Sequence, residues 1–103
     1  MNKGNLISKP AAKELDALSE LHKALGGYTR IRILWLLLER EWGGRELAGD
    51  MKMTESAISH QLRILRSARL VNGRKAGKNV FYTLADEHIR WILEKTYDHI
   101  SEQ

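Results

Sequence analysis

Apolar residues recur at Ala12, Leu15, Leu18, Leu21 and Leu25, a spacing that keeps them on one helical face. The pattern predicts a first helix opened by Pro10, whose missing N–H costs nothing in a first turn, and stopped at Gly26-Gly27. Thr29–Leu38 is too uniformly hydrophobic to be anything but a central core helix, and Gly43-Gly44 closes it. A short helix over Arg45–Met51 follows. Thr54 then serves as N-cap to a longer helix running to Ala68, with Ile58, Leu62 and Leu65 turned inward. Short helix, tight turn and longer helix make a helix-turn-helix. Beyond it the period falls to two. Leu70-Val71 and Val80–Leu84 read as strands around a turn-rich stretch, Asn72–Asn79. Asp86 caps a last helix from Glu87 to Ser101.

The fold class is therefore mainly α with a small β-hairpin: a winged helix-turn-helix over residues 10–103, with residues 1–9 expected to fray. At 103 residues the chain has room for one domain. Its core hides roughly two-thirds of the unfolded surface, which excludes two-domain enzymes and large clefts. The absence of cysteine removes disulfides, thiol catalysis and thiolate metal sites. No apolar run approaches the ~20 residues of a bilayer span and no leader pattern opens the chain. A cytoplasmic protein with no membrane partner is expected.

The net charge of +4 is unevenly placed. Residues 54–84 hold six basic side chains (Arg63, Arg66, Arg69, Arg74, Lys75 and Lys78) against one acid, Glu55, while the rest of the chain is close to neutral. A segregated block of charge points to a polyanion. The DNA major groove admits one helix, whose early exposed side chains meet base edges. Here those are Glu55, Ser56, Ser59 and His60, with Gln61 beside them and Arg63 and Arg66 further along, placed for phosphate. Arg74, Lys75 and Lys78 ride on a projecting wing suited to a minor groove or to phosphates. Each of these residues alone also reads as an ordinary solvated position. Helix, wing and local charge together point to double-stranded DNA, with counterion release supplying much of the affinity.

Asp86, His88, His99 and Glu102 are all zinc-ligand types. His88 and His99 stand eleven residues apart, nearly on one helical face but about 16 Å apart along the axis. One helix cannot bring both to one ion. Two copies running antiparallel across a two-fold axis can, because pairing 88 with 99 and 86 with 102 demands the same axis, near Leu93 and Glu94. Taken singly, Asp86 reads as a helix cap and either histidine as solvated; the shared axis is what favours a metal. The stripe Ile89, Ile92, Leu93 and Ile100, together with Leu15 and Leu18 of the first helix, is expected to form the homodimer contact. Two nitrogen and two carboxylate ligands suit Zn2+, and also Co2+ or Ni2+ with some change of geometry, at two ions per dimer. Histidine must be neutral to ligate, so mild acid is expected to weaken the site. His22 reads as structural or solvated.

Leu25-Gly26 followed by Thr29-Arg-Ile-Arg-Ile-Leu34, then Ser56-Ala-Ile-Ser-His-Gln-Leu62 with Leu65, and Arg69-Leu-Val71 before the wing, resemble the ArsR/SmtB family of metal-responsive repressors. The likeness spans about residues 11–102. It implies a homodimeric winged-helix protein that represses an operator and releases it on binding inducer. The pattern Asp86-x-His88-x10-His99-x2-Glu102 is similar to the interhelical site of the zinc-sensing subgroup, which implies two ligands from each subunit per ion. Members sensing arsenic, lead or cadmium carry cysteines, often in the short helix before the recognition helix; Arg45–Met51 has none. The expected function is an inverted-repeat operator repressor released by zinc. The alternative is a DNA-binding regulator of the same family without a metal response. A small zinc hydrolase is disfavoured, because catalytic zinc keeps an open position that four protein ligands would close.

Overall fold

The computed structural model describes residues 8–102. In chain order these form α1 (Ala12–Leu25), α2 (Tyr28–Glu39), β1 (Trp42–Gly43), α3 (Gly44–Met51), α4 (Glu55–Ser67), β2 (Val71–Ala76), β3 (Asn79–Leu84) and α5 (Glu87–Ser101). The helix-turn-helix is α3–α4 and the wing is β2–β3, as expected. Most of residues 1–9 lie outside the described residues, so the expected fraying is addressed only at Ser8 and Lys9, which have no regular structure.

Ile33, Leu34, Leu47, Ile58, Leu62, Leu65 and Leu70 are the largest fully enclosed side chains. They come from α2, α3, α4 and the turn before β2, which places the core beneath the helix-turn-helix. Burying each such side chain is worth roughly 1.5–3 kcal/mol, enough to fix α4 against α2 and α3. Trp35 and Tyr97 meet edge to face at 5.4 Å, and Arg90 Nη2 donates to the Leu38 carbonyl at 3.0 Å. Those contacts seat α5 on α2. By contrast, residues 11–20 are all exposed, so the first half of α1 projects from the body.

Four expectations are corrected. Pro10 stands outside α1, because Ala11 is the cap and its N–H donates to Glu14 Oε1 at 2.7 Å, a bond proline cannot make. The sheet has three antiparallel strands in the order β1-β3-β2 rather than a lone hairpin. Its extra strand pairs Trp42 with Tyr82 and Gly43 with Phe81, and the Trp42 indole N–H donates to the Leu36 carbonyl at 3.0 Å. The expected wing loop is mostly ladder: Ala76 pairs with Asn79, leaving a two-residue turn of Gly77 and Lys78. Gly77 has φ +64 and Lys78 is not among the positive-φ residues, the combination of a type II′ turn. Finally, Ile89 and Leu93 are buried in their own protomer's core and are not available for a dimer contact. α5 packs against β3 and keeps those two in the core, while Ile100, further along the same stripe, is exposed.

Candidate nucleic-acid interface and the ligand-bearing helix

Thr54 caps α4 as its position predicts, its Oγ1 accepting from the Ala57 N–H at 3.0 Å. With Ile58, Leu62 and Leu65 buried, the opposite side of α4 presents Glu55, Ser56, Ser59, His60, Arg63 and Arg66 to solvent. The wing stands beside that face. A cleft of about 540 Å³ runs between them, lined by Arg45, Glu55, Ser59, Lys78 and Val80 among others. A second, of about 370 Å³, is lined by Ser59, Arg63, Arg66, Ser67 and Tyr82. Ser59 borders both, so the early face of α4 opens into a concave surface with cations along its margins. Arg66 lies against Gly73, where a Cβ would stand 3.1 Å from its Nη1. Glycine here leaves room for the guanidinium between helix and wing.

Gln61 is half-buried, and its Oε1 accepts from Arg30 Nη1 at 3.1 Å. Helical spacing sets Gln61 one position beyond the exposed His60, toward the α1–α2 side. Its amide oxygen is thus used inside the protein. Glu55 forms a long ion pair with Arg45, 3.6 Å, across the mouth of the helix-turn-helix. Such an exposed pair contributes little to stability.

The wing cations do not share one face. Successive side chains of a strand alternate, so Val71, Gly73 and Lys75 point to one side and Asn72, Arg74 and Ala76 to the other. Val71 is buried and Gly73 abuts Arg66, so Lys75 is on the side of α4. Arg74 instead crosses the far side, lying over the Phe81 ring at 5.2 Å and gripping Glu41 with Nη2 to Oε1 at 2.9 Å and Nε to Oε2 at 3.3 Å. The hydrogen bonds it donates to Glu41, and that carboxylate's charge, hold the guanidinium above its already high ordinary pKa. Lys78, at the turn, is exposed.

On α5, Asp86 caps the helix: Oδ1 accepts from the His88 and Ile89 N–H groups at 2.9 and 3.3 Å and lies 3.3 Å from His88 Nδ1. None of these bonds uses Oδ2. The His88 side chain is 91% exposed, and His99 and Glu102 are exposed at the opposite end of the helix. Among the described residues no three His, Asp or Glu side chains of one protomer gather into a metal site. Asp86 with His88, and His99 with Glu102, each put one imidazole and one carboxylate at one end of α5, residue types whose nitrogen and oxygen chemistry fits zinc. Leu15, Leu18 and Ile100 are exposed at 52%, 44% and 65%, and Ile92 is half-buried, leaving apolar surface on α1 and α5.

Sequence reading missed three residues that shape this surface. Arg30 stands in the family-like run Thr29–Leu34, but nothing there points to Gln61. Glu41 sits within Glu39-Arg-Glu41, which reads as a solvated run. Arg45 lies in the first turn of α3, and only the folded turn brings it to Glu55.

The description "Bacterial regulatory protein, arsR family" matches residues 28–73, from α2 into the wing. The chain is 42% identical over 97 residues to a transcriptional repressor SmtB homolog from Synechocystis, covering 91% of this chain and 74% of the relative. It is 35% identical over 104 residues to a cadmium resistance transcriptional regulatory protein CadC homolog from Staphylococcus aureus, covering 98% and 85%. Among solved structures it is similar to a homodimeric winged helix-turn-helix DNA-binding domain from Mycobacterium bovis, with a TM-score of 0.83, 26% identity, and 95% and 93% of the two chains covered.

Proposed function

The chain belongs to the arsR family of bacterial regulatory proteins, and from that membership we propose that it represses transcription as a homodimer on an inverted-repeat operator and leaves the DNA when a divalent ion joins its two α5 helices. It is a transcriptional regulator and not an enzyme. Among the described residues no helix is long and apolar enough to cross a membrane.

Ser56, Ser59 and His60 would meet base edges, with Arg63, Arg66, Lys75 and Lys78 on flanking phosphates. The exposed Leu15, Leu18 and Ile100, with Ile92, would form the dimer contact. One observation carries the metal response: two half donor sets stand exposed at opposite ends of a single helix, with a common midpoint. In an antiparallel pair, Asp86 and His88 of one chain would meet the other pair, His99 and Glu102, from the second chain. The ion, when bound, supplies a fixed cross-link between two chains that are otherwise free to shift. The relatives' names speak of metal in one case, cadmium resistance. The lack of cysteine here instead favours zinc, cobalt or nickel, at two ions per dimer.

If the cross-linked form fits DNA less well, ion and DNA must weaken each other equally, by about 5–150-fold on the usual allosteric scale. The test is to select a tight-binding duplex from a random-sequence pool and titrate it with and without zinc. Zinc should weaken the wild-type complex and a chelator restore it, while His99→Ala binds DNA equally at every zinc level. A selected duplex that zinc leaves untouched would favour a family member without metal response.

A further inference from the structure

We propose that Arg74 is not one of the wing's phosphate contacts but its positioning residue, clamped to Glu41 across the whole sheet, so that phosphate binding by the wing falls to Lys75 and Lys78 alone. The inference rests on the DNA-binding reading above and refines it.

Two independent features place Arg74 in this role. The first is the pleat. The ladder sets Gly43, Phe81 and Arg74 in one lateral row across β1, β3 and β2, and Glu41 lies two residues before Gly43 on the same side. That side is opposite the one on which Val71 is buried and Gly73 meets Arg66 of the recognition helix. The second is the contact itself. The Arg74 stem passes over the middle strand, with its guanidinium 5.2 Å from the Phe81 ring centre, and two of its nitrogens meet the two oxygens of Glu41. A fork-to-fork pair is directional as well as attractive. It ties β2 to the residue that leads into β1, over the middle strand, and fixes the angle at which the hairpin leaves the body. Its charge is matched by an acid, so it offers a phosphate little. Lys75 and Lys78 have no acidic partner among the described ion pairs, and they stand on the α4 side and at the turn.

Counterion release makes the assignment countable. Each phosphate contact adds about 0.9 to the slope of log affinity against log salt. A duplex of arbitrary sequence suffices, because non-specific binding is essentially electrostatic. Lys75→Gln and Lys78→Gln should each flatten the slope by about 0.9 per wing engaged. Arg74→Gln should weaken binding at every salt concentration and leave the slope where it was. Glu41→Gln should weaken binding to the same degree, the double variant should be no worse than either single one, and Arg74→Lys, which cannot fork, should fail to rescue. Arg74 is exposed and Glu41 half-buried at the surface, and thermal unfolding of the free protein confirms that each variant is folded. A flattened slope for Arg74→Gln, or tighter binding by Glu41→Gln, would overturn the assignment. If instead the wild type and the lysine variants show no salt slope at all, it is the DNA-binding reading that fails.

Discussion

Arg30 Nη1 donates to Gln61 Oε1 at 3.1 Å, joining the start of α2 to the recognition helix. The same guanidinium donates through Nε to the Ala24 carbonyl at 2.8 Å and through Nη2 to the Lys23 carbonyl at 3.2 Å. Both carbonyls belong to the last turn of α1, where acceptors need outside donors. A Cβ at Gly27 would come within 2.6 Å of Arg30 Cζ, so the glycine leaves the space that the guanidinium fills. One side chain thus sets the projecting α1 relative to the DNA-facing helix.

Removing this joint should be costly. Arg30→Ala is expected to lose about 1.5–3 kcal/mol in urea unfolding, the range for hydrogen bonds to a charged group. Gly27→Ala should show a loss in the same direction by displacing the guanidinium. Unchanged unfolding midpoints for both variants would mean that the bridge contributes nothing in solution.

The turn between α3 and α4 carries Lys52 at φ 55, a left-handed conformation that costs a side-chain-bearing residue roughly 1–2 kcal/mol. Glycine escapes that cost but loses some of the gain to unfolded-state entropy. Lys52→Gly should therefore stabilise the domain by about 0.5–1 kcal/mol, read as a higher thermal midpoint. A lower midpoint would show that the Lys52 side chain does something the backbone geometry does not reveal.

Glu46 supplies the pH dependence. The Gly43 N–H, donated to its Oε1 at 2.8 Å, holds its carboxyl below the ordinary carboxylate value, opposed by burial and assisted by Arg40. A folded-state pKa below the unfolded one means stabilisation that is present at neutral pH and lost as pH falls through the folded value. Glu46→Ala should lower the thermal midpoint at pH 7. The difference from wild type should shrink as the solution is taken below the unfolded value of 4.5. A gap that stays constant down to strong acid would rule out the charged cap as its source.

Opposite faces of α4 should respond differently. Leu62 is fully enclosed, so Leu62→Ala is expected to cost about 2–5 kcal/mol. Ser59 is exposed, so Ser59→Ala should stay within about 0.5 kcal/mol of wild type in denaturant melts while weakening DNA binding.

Much of this was legible in the chain because its signals are local. Helical spacing located the helices, and Thr54 and Asp86 announced their caps because a cap bonds within three residues of itself. What stayed hidden depended on distant partners. β1 is two residues long, too short to show alternation, and exists only because β3 is there to pair with it. Nothing near Gln61 indicates that Arg30, thirty-one positions earlier, would claim its amide. The apolar stripe of α5 is continuous in sequence, but the body encloses Ile89 and Leu93, half-covers Ile92 and stops before Ile100. The residues called wing loop were polar on both faces, and the register imposed by the Gly77 turn made them strand.

The claim that each ion is shared between two chains can be tested by splitting the donor set. One chain carries Asp86→Ala with His88→Ala, the other His99→Ala with Glu102→Ala, and differently tagged copies are purified as homodimers and as the mixed dimer. Each homodimer keeps only half sets and should bind zinc weakly. The mixed dimer brings one intact set together, the first pair from one chain and the second from the other, and should recover one tight zinc site. A mixed dimer that binds no better than its parents, or a homodimer that still binds tightly, would contradict the shared site.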